Sequence, residues 1–262
     1  MAGFGRLALS VFVTLPAMFG FASGQDGVAR SLAPTGRLRV GVYPGSPTSL
    51  VRVPGSEDIS GVTVEIGREI GRRLGVPVDI VEEKRPAEVV EALKVGRVDL
   101  TVTNASPSRM KELTFTKTLF SIELGFLVPA SSTAKTGDDI DQPGIRIGVT
   151  DGSTTLGVLP SRLKAATIRP AASLSAGTEM LQRGEIEAYA TNKPSLYEMA
   201  EGLSGARVLD GRWGEEHLAV AVPKGRQAAQ DFLEAFVEDA RSSGFVSRAI
   251  KRSGVKGAVP AE

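Results

Sequence analysis

The chain is 262 residues long, has one histidine and no cysteine, and carries 31 lysines and arginines against 30 aspartates and glutamates. That balance leaves no basic excess for a polyanion, which excludes nucleic acid as an expected partner. The lack of thiols excludes disulfide staples and thiolate metal sites, and the length suffices for one large or two small cores without them.

At the start, Arg6 precedes an uncharged apolar run, Leu7 to Phe21, followed by Ala22, Ser23, Gly24 and Gln25. The run is too short to span a bilayer. The pattern predicts a signal peptide over residues 1–24, cut near Gly24, with an uncleaved anchor as the alternative. Arg6 is the only charge it removes, so the remainder has 30 basic and 30 acidic side chains. No later stretch is apolar and long enough to cross a membrane, and the expected location is the periplasm.

From Leu38 the chain alternates strand and helix signals. A β-rich run, Leu38 to Tyr43, precedes a helix over Val64–Leu74, where Ile66, Ile70 and Leu74 share one face and Gly75 stops the helix. A strand at Val76–Val81, a helix at Ala87–Val95 ended by Gly96, and a strand at Val98–Thr103 follow. The same grammar restarts with a strand at Ile145–Thr150 and a helix at Ser153–Leu163. Next come a helix at Leu174–Gln182 and a strand at Ile186–Thr191. An apolar strand, His217–Val222, leads into a long helix from Arg226 whose stripe includes Phe232, Leu233, Phe236, Val237 and Ala240. The tail from Ser253 reads as loose. Such βα repetition implies a mostly parallel sheet covered by helices.

Two internal echoes organise these elements. "LKVGRVDLTVTN" (93–104) aligns without gaps on "LQRGEIEAYATN" (181–192), and "LRVGVYPGS" (38–46) on "IRIGVTDGS" (145–153). Both occur in the same order, so the chain reads as two similar α/β lobes: residues 30–122 plus 220–255, and residues 123–219. "ELGFLVPA" (123–130) and "HLAVAVPKG" (217–225) are the natural crossovers. Ligands of open α/β sheets bind beyond the carboxyl ends of the strands, where the Gly-Ser turns and Thr-Asn pairs fall.

Among the polar groups, Arg109 in "TNASPSRMKELTF" reads either as a surface charge or as a carboxylate clamp, since a guanidinium forks onto a carboxylate with two charge-assisted bonds. "DGSTT" (151–155) opens a helix, so Ser153, Thr154 and Thr155 serve either as a plain cap or as amide donors to an anion. His217 reads as structural or exposed, and Trp213 as core or as a cleft wall. The spacing of Gly67, Gly71 and Gly75 reads as close helix packing. Glu65, Asp99 and Glu187 read as capping and turn-bonding acids. "GDDIDQPG" lacks the acid that a calcium loop needs at its twelfth place. No Ser-His-Asp set, phosphate loop or zinc spacing is present, so no catalytic residue, metal or cofactor is expected.

The stretches "LRVGVYPGSP", "GVTVEIGREIGRRLGVPVDI", "EALKVGRVDLTVTNASPSRMKELTFT", "GIRIGVTDGSTT", "GEIEAYATN" and "LAVAVPKG" resemble, in order and spacing, the family 3 extracellular solute-binding proteins of ABC importers, the amino-acid-type periplasmic binding proteins. The resemblance covers residues 36 to about 252. It implies the two-lobed type II periplasmic-binding fold, with two hinge strands closing around one small polar solute, and a permease in the inner membrane as partner. It implies a monomeric receptor and not an enzyme. In such proteins the arginine corresponding to Arg109 grips the ligand carboxylate. The implied site comprises Tyr43, Ser46, Thr103, Asn104, Arg109, Ser153, Thr154, Thr155 and Asn192. Relatives usually end the second-lobe strand with an aspartate that holds the α-ammonium, where this chain has Asn192, and the stacking aromatic of the first loop is missing. Those departures put an ordinary α-amino acid in doubt in favour of an organic acid, an amide or an amino-acid derivative. The alternative is an enzyme like the cyclohexadienyl dehydratases, which eliminate water on this scaffold. It would need an acid in the cleft, and both strand ends carry asparagine.

Overall fold

The computed structural model describes residues 22–52 and 55–260. The expected signal segment lies outside the described residues except for Ala22, Ser23 and Gly24, which begin helix α1 (Ala22–Leu32).

The first lobe starts with β1 (Leu38–Val42), a short hairpin β2–β3 (Val51–Arg52 and Ile59–Ser60) and α2 (Val62–Leu74). It continues through β4 (Val78–Glu82), α3 (Pro86–Lys94), β5 (Thr101–Asn104), a single turn α4 (Pro107–Met110) and β6 (Leu113–Phe115). On α2, Val62, Ile66, Ile70 and Leu74 form one buried stripe, as the i, i+4 spacing dictates. The helix lies unusually close to the sheet. A Cβ at Gly67 would stand 2.6 Å from Val40, and one at Gly71 2.2 Å from Val78, so these two glycines are a packing device, whereas Gly75 has open space around it and ends the helix in the left-handed conformation.

Strand β7 (Phe120–Val128) leads to the second lobe: β8 (Arg146–Thr150), α5 (Thr154–Val158), β9 (Thr167–Ala171), α6 (Leu174–Gln182), β10 (Ala188–Asn192), α7 (Lys193–Glu201) and β11 (Arg207–Val208). Strand β12 (Gly214–Pro223) returns to the first lobe and feeds α8 (Gln227–Ser242), α9 (Phe245–Arg252) and β13 (Ala258–Pro260).

Among the described residues nine strands form one curled sheet with β7 and β12 antiparallel at its middle, and the β2–β3 hairpin stands apart. Strand β12 pairs through its first half with β7, from Gly214↔Leu124 to Leu218↔Phe120. Its second half pairs with β5, from Leu218↔Asn104 to Ala221↔Thr101. Strand β7 in turn pairs with β10, from Leu124↔Asn192 to Leu127↔Tyr189. Each of the two central strands therefore belongs to one lobe at one end and to the other lobe at the other. Outward from them, β1 joins β5 by a Val40↔Leu100 bridge and pairs in parallel with β4. On the other side β8 pairs in parallel with both β10 and β9.

The cores follow this division. Val40, Ile66 and Ile70 pack with Leu233, Phe236 and Val237, so α8 returns to cover the first lobe. In the second lobe, alternation along β10 sends Ala188 and Ala190 to a cluster with Ile147 and Val149, and Tyr189 to another with Leu174 and Leu196. The echoed acids have the same task in both lobes. Asp99 accepts the Arg39 N–H at 3.0 Å and pairs with its guanidinium at 2.8 Å. Glu187 accepts the Arg146 N–H at 2.7 Å and pairs with its guanidinium at 2.5 Å.

Three expectations are corrected. The sheet is mixed and not mostly parallel, because the central strands β7 and β12 pair antiparallel with each other and with β10 and β5. The helix expected over Ser153–Leu163 stops at Val158 and tightens into a 3₁₀ turn, Leu159–Ser161. Pro160 has no N–H to continue the ladder, and its ring crowds the preceding turn. The tail beyond Ser253 is not loose, because Ala258–Pro260 adds a strand to β7 opposite Ile122, Ser121 and Phe120.

Candidate functional site

The carboxyl ends of β1, β5, β8 and β10 bring Tyr43, Asn104, Thr150 and Asn192 around one cavity of about 30 Å³ between the lobes. Ordinary small-molecule pockets run to roughly 300–1,000 Å³; here contacts such as Thr154 with Glu216 fill most of the space. Eight of the nine expected residues line the cavity. Ser46 is the exception and sits just behind it, fully buried, with its hydroxyl 2.9 Å from Thr48 and 2.8 Å from Ser195. The Ser195 bond links the loop after β1 to the start of α7.

Arg109 comes from α4, a turn started by Pro107 and capped by Ser106, whose Oγ accepts the Arg109 N–H at 3.4 Å. Its side chain is buried, and Nη1 donates to Thr103 Oγ1 at 2.5 Å. The guanidinium forms no salt bridge with any described carboxylate. Burial pushes Arg109 below its usual pKa range, while Glu216 and then Tyr43 push it back. An arginine keeps its charge throughout, so this is a buried cation beside a cavity. Burial likewise holds the Tyr43 phenol above its usual range, against the hydroxyl of Ser46. It faces the cavity as a neutral hydroxyl.

Other expected residues are partly committed. Ser153 Oγ caps α5 by accepting the Leu156 N–H at 3.1 Å, and its own N–H donates to Thr150 O at 3.1 Å. The expected row of three free amides is thus reduced to Thr154 and Thr155. Asn192 Oδ1 caps α7 through the Ser195 N–H at 3.1 Å, which leaves its NH₂ and one lone pair of the oxygen for other partners. Asn104 Oδ1 accepts the His217 N–H at 3.2 Å, and its Nδ2 donates to Glu216 Oε1 at 3.3 Å.

Glu216 stands outside the expected set and is the acid of the cleft. It is 7% exposed, lines the cavity, and its Oε1 also accepts the hydroxyl of Thr154 from the second lobe. The signal was present as alternation: Glu215 and His217 are exposed, and Glu216 and Leu218 are buried. Reading back from the apolar strand by twos puts Glu216 on the inner face. The argument that no acid reaches the cleft is therefore corrected. His217 points away, with Nδ1 2.9 Å from Ser121 Oγ. Trp213 packs on Phe126 and donates to Gly125 O at 2.9 Å, within the second-lobe core.

The cleft rim is bridged as well. Arg85 of α3 pairs with Asp151 in the loop before α5, and with Glu88 at 3.1 Å. A larger hollow of about 960 Å³ lies on the outer side of the second lobe, lined by Ala130, Asp139, Gln142, Glu187 and Leu203. Its acids are engaged elsewhere: Glu187 holds Arg146, and Asp139 accepts the N–H groups of Lys135 and Thr136, both at 2.9 Å. The chemically distinctive side chains converge between the lobes.

Known proteins resemble this chain in sequence or in fold. The glutamine-binding protein GlnH of a Bacillus subtilis ABC transporter is 22% identical over 201 residues, covering 73% of this chain and 71% of that protein. The solute receptor for L-cysteine of Neisseria gonorrhoeae superposes with a TM-score of 0.77 at 21% identity, over 88% of this chain and 95% of the other. An ancestral amino acid-binding protein, a precursor of cyclohexadienyl dehydratase, superposes with a TM-score of 0.74 at 20% identity, over 86% of this chain and 98% of the other. At such identities the superpositions speak for the fold alone, but residues 38–254 also match the sequence pattern of one family over both lobes and both central strands. The chain belongs to the bacterial extracellular solute-binding proteins, family 3.

Proposed function

We propose that this protein is the periplasmic receptor of an amino-acid-type ABC importer. It captures a small, carboxylate-bearing solute between its lobes and presents it to a permease in the inner membrane. Arg109 carries the reading: a buried guanidinium that gives one bond to Thr103 and has its remaining donors beside an interlobe cavity. A carboxylate satisfies such a fork better than water can, because the paired bonds form in a desolvated site. Thr103 holds the guanidinium in place, Tyr43 and Asn192 offer further donors, and Thr154 and Thr155 close from the second lobe. The mechanism is closure: contacts made by both lobes favour the closed state, and only that differential binding shifts the equilibrium. The receptor works as a monomer.

The test is a thermal-shift screen of amino acids, non-amino carboxylates and amides on wild type and Arg109→Ala. A carboxylate at about 100 times its dissociation constant raises stability by roughly 2.7 kcal/mol, and the variant loses that response. Hits confined to uncharged solutes, with an equal response in the variant, would sink the reading.

A second reading has one observation in its favour. Glu216 supplies the cleft acid that a water-eliminating enzyme needs. Incubation with a cyclohexadienyl carboxylate separates the two: aromatisation that stops in Glu216→Gln marks an enzyme, and an unchanged substrate marks a receptor.

A further inference from the structure

We infer that Glu216 of the central strand β12, rather than the end of β10, holds the solute's ammonium, and that the solute is an α-amino acid with an uncharged side chain. The inference rests on the receptor reading above and narrows it to one ligand class.

Of the side chains that line the interlobe cavity, only Arg109 and Glu216 carry charge. Each is buried and each has unused bonding capacity. Arg109 gives Nη1 to Thr103, and the other N–H groups of its guanidinium donate to no described residue. Glu216 receives Thr154 and Asn104 on Oε1, and its Oε2 accepts from no described group. Neither side chain is sealed in: the enclosed, partnerless side-chain atoms among the described residues are Gln230 Oε1 and Ser253 Oγ. Both side chains line the cavity, and Arg109 also borders the groove at the cleft rim beside Ser106 and Glu112. Arg109 and Glu216 feel each other's charge without closing into a salt bridge.

The cavity of about 30 Å³ holds roughly one water, so a solute enters only as the lobes open, and walls bearing one cation and one anion then suit a molecule carrying both signs on a single carbon. An α-amino acid sets its carboxylate on Arg109 and its ammonium on Glu216, and every buried charge has a partner. A plain carboxylate would instead leave Glu216 desolvated and facing a like charge, which is costly. Asn192 is the weaker partner for the ammonium, because it is neutral and one lone pair of its oxygen already caps α7. The hinge-strand carboxylate answers the departure at β10 noted in the sequence. The remaining lining groups are hydroxyls, an amide pair and the apolar Pro86, Val102, Leu174 and Leu218. They leave no counter-charge for an ionised ligand side chain.

The experiment is isothermal titration of the full chain with each protein amino acid and with the matching acid in which hydrogen replaces the amino group. Wild type, Glu216→Gln, Glu216→Asp and Arg109→Ala are compared, with circular dichroism confirming that each variant is folded. Wild type should bind a neutral amino acid at least about thirtyfold more tightly than its des-amino acid, since leaving one partner of a buried charge pair unmatched costs this much or more. Glu216→Gln should abolish that preference by weakening the amino acid alone, and Glu216→Asp should restore part of it. The inference is overturned if wild type binds the two series equally, if it prefers arginine or glutamate, or if Glu216→Gln keeps the preference. Loss of all carboxylate binding in wild type, or indifference to Arg109→Ala, would instead bring down the receptor reading beneath it. The wild-type comparison needs no variant to fold.

Discussion

Gly152 offers a direct way to hold the lobes apart. It follows β8 with φ +66, and a Cβ built there would stand 2.5 Å from the Cβ of Ala87, at the start of α3 in the other lobe. Gly152→Ala therefore has two separable costs. The left-handed backbone costs an alanine about 1 kcal/mol whether the lobes are open or closed. The contact with Ala87 exists only when they are closed, and overpacking of this kind costs about 1–3 kcal/mol. Only the second cost falls on binding, so affinity should drop roughly 5- to 150-fold, while the unliganded chain loses a few degrees of Tm. Small-angle scattering should show a more extended unliganded particle than wild type. Ala87→Gly removes the opposing methyl, and in the double variant most of the affinity should return, as expected for two groups that meet. If Gly152→Ala binds within twofold of wild type, the lobes do not close through this contact. If affinity falls and Ala87→Gly does not restore it, backbone strain alone is responsible.

Two further outcomes follow from packing and charge. The hydrogen bond from Arg72, with Arg73 behind it, pulls the Glu69 carboxyl from an ordinary 4.5 down to about 2. A folded-state pKa below the unfolded one stabilises above pH 4.5, and that stabilisation is lost as pH falls through 2. Because Arg72 is largely exposed, solvent screening reduces the gain to about 1 kcal/mol. Thermal melts should thus place Glu69→Gln below wild type at neutral pH and level with it near the acid end; a constant gap across the range would refute the linkage. Gly177→Ala should destabilise despite the gain of about 1 kcal/mol in helix propensity. Its Cβ would stand 2.2 Å from the Tyr189 ring, whose hydroxyl is fixed 2.7 Å from Thr150. Overpacking of about 1–3 kcal/mol outweighs the propensity, and a urea midpoint at or above wild type would show that the ring can yield.

Much of this architecture was legible in the sequence because its signals are local. The stripe at Ile66, Ile70 and Leu74 and the glycine after it made α2 readable, and Leu174–Gln182 was found with the bounds that α6 has. The two echoes pointed to the repeated lobe, and with it the matched tasks of Asp99 and Glu187. Arg109 was legible through its motif. Where a second local signal was overlooked, as with Pro160 inside an expected helix, the expectation ran too long. What the chain order could not express is the pairing of segments far apart. Glu216 looks like one of two acids at a strand start until β12 is laid against β7 and β5, and its carboxylate then meets Thr154 and Asn104 from both lobes. Asn192 looks free until the turn of α7 claims its oxygen. Ser253 onward looks loose until β7 offers an edge. Periodicity, caps and turns act over a few residues and are written along the chain. Strand register joins residues a hundred positions apart, so alternation could put Glu216 on an inner face, but only the tertiary structure brought it to the same cavity as Arg109.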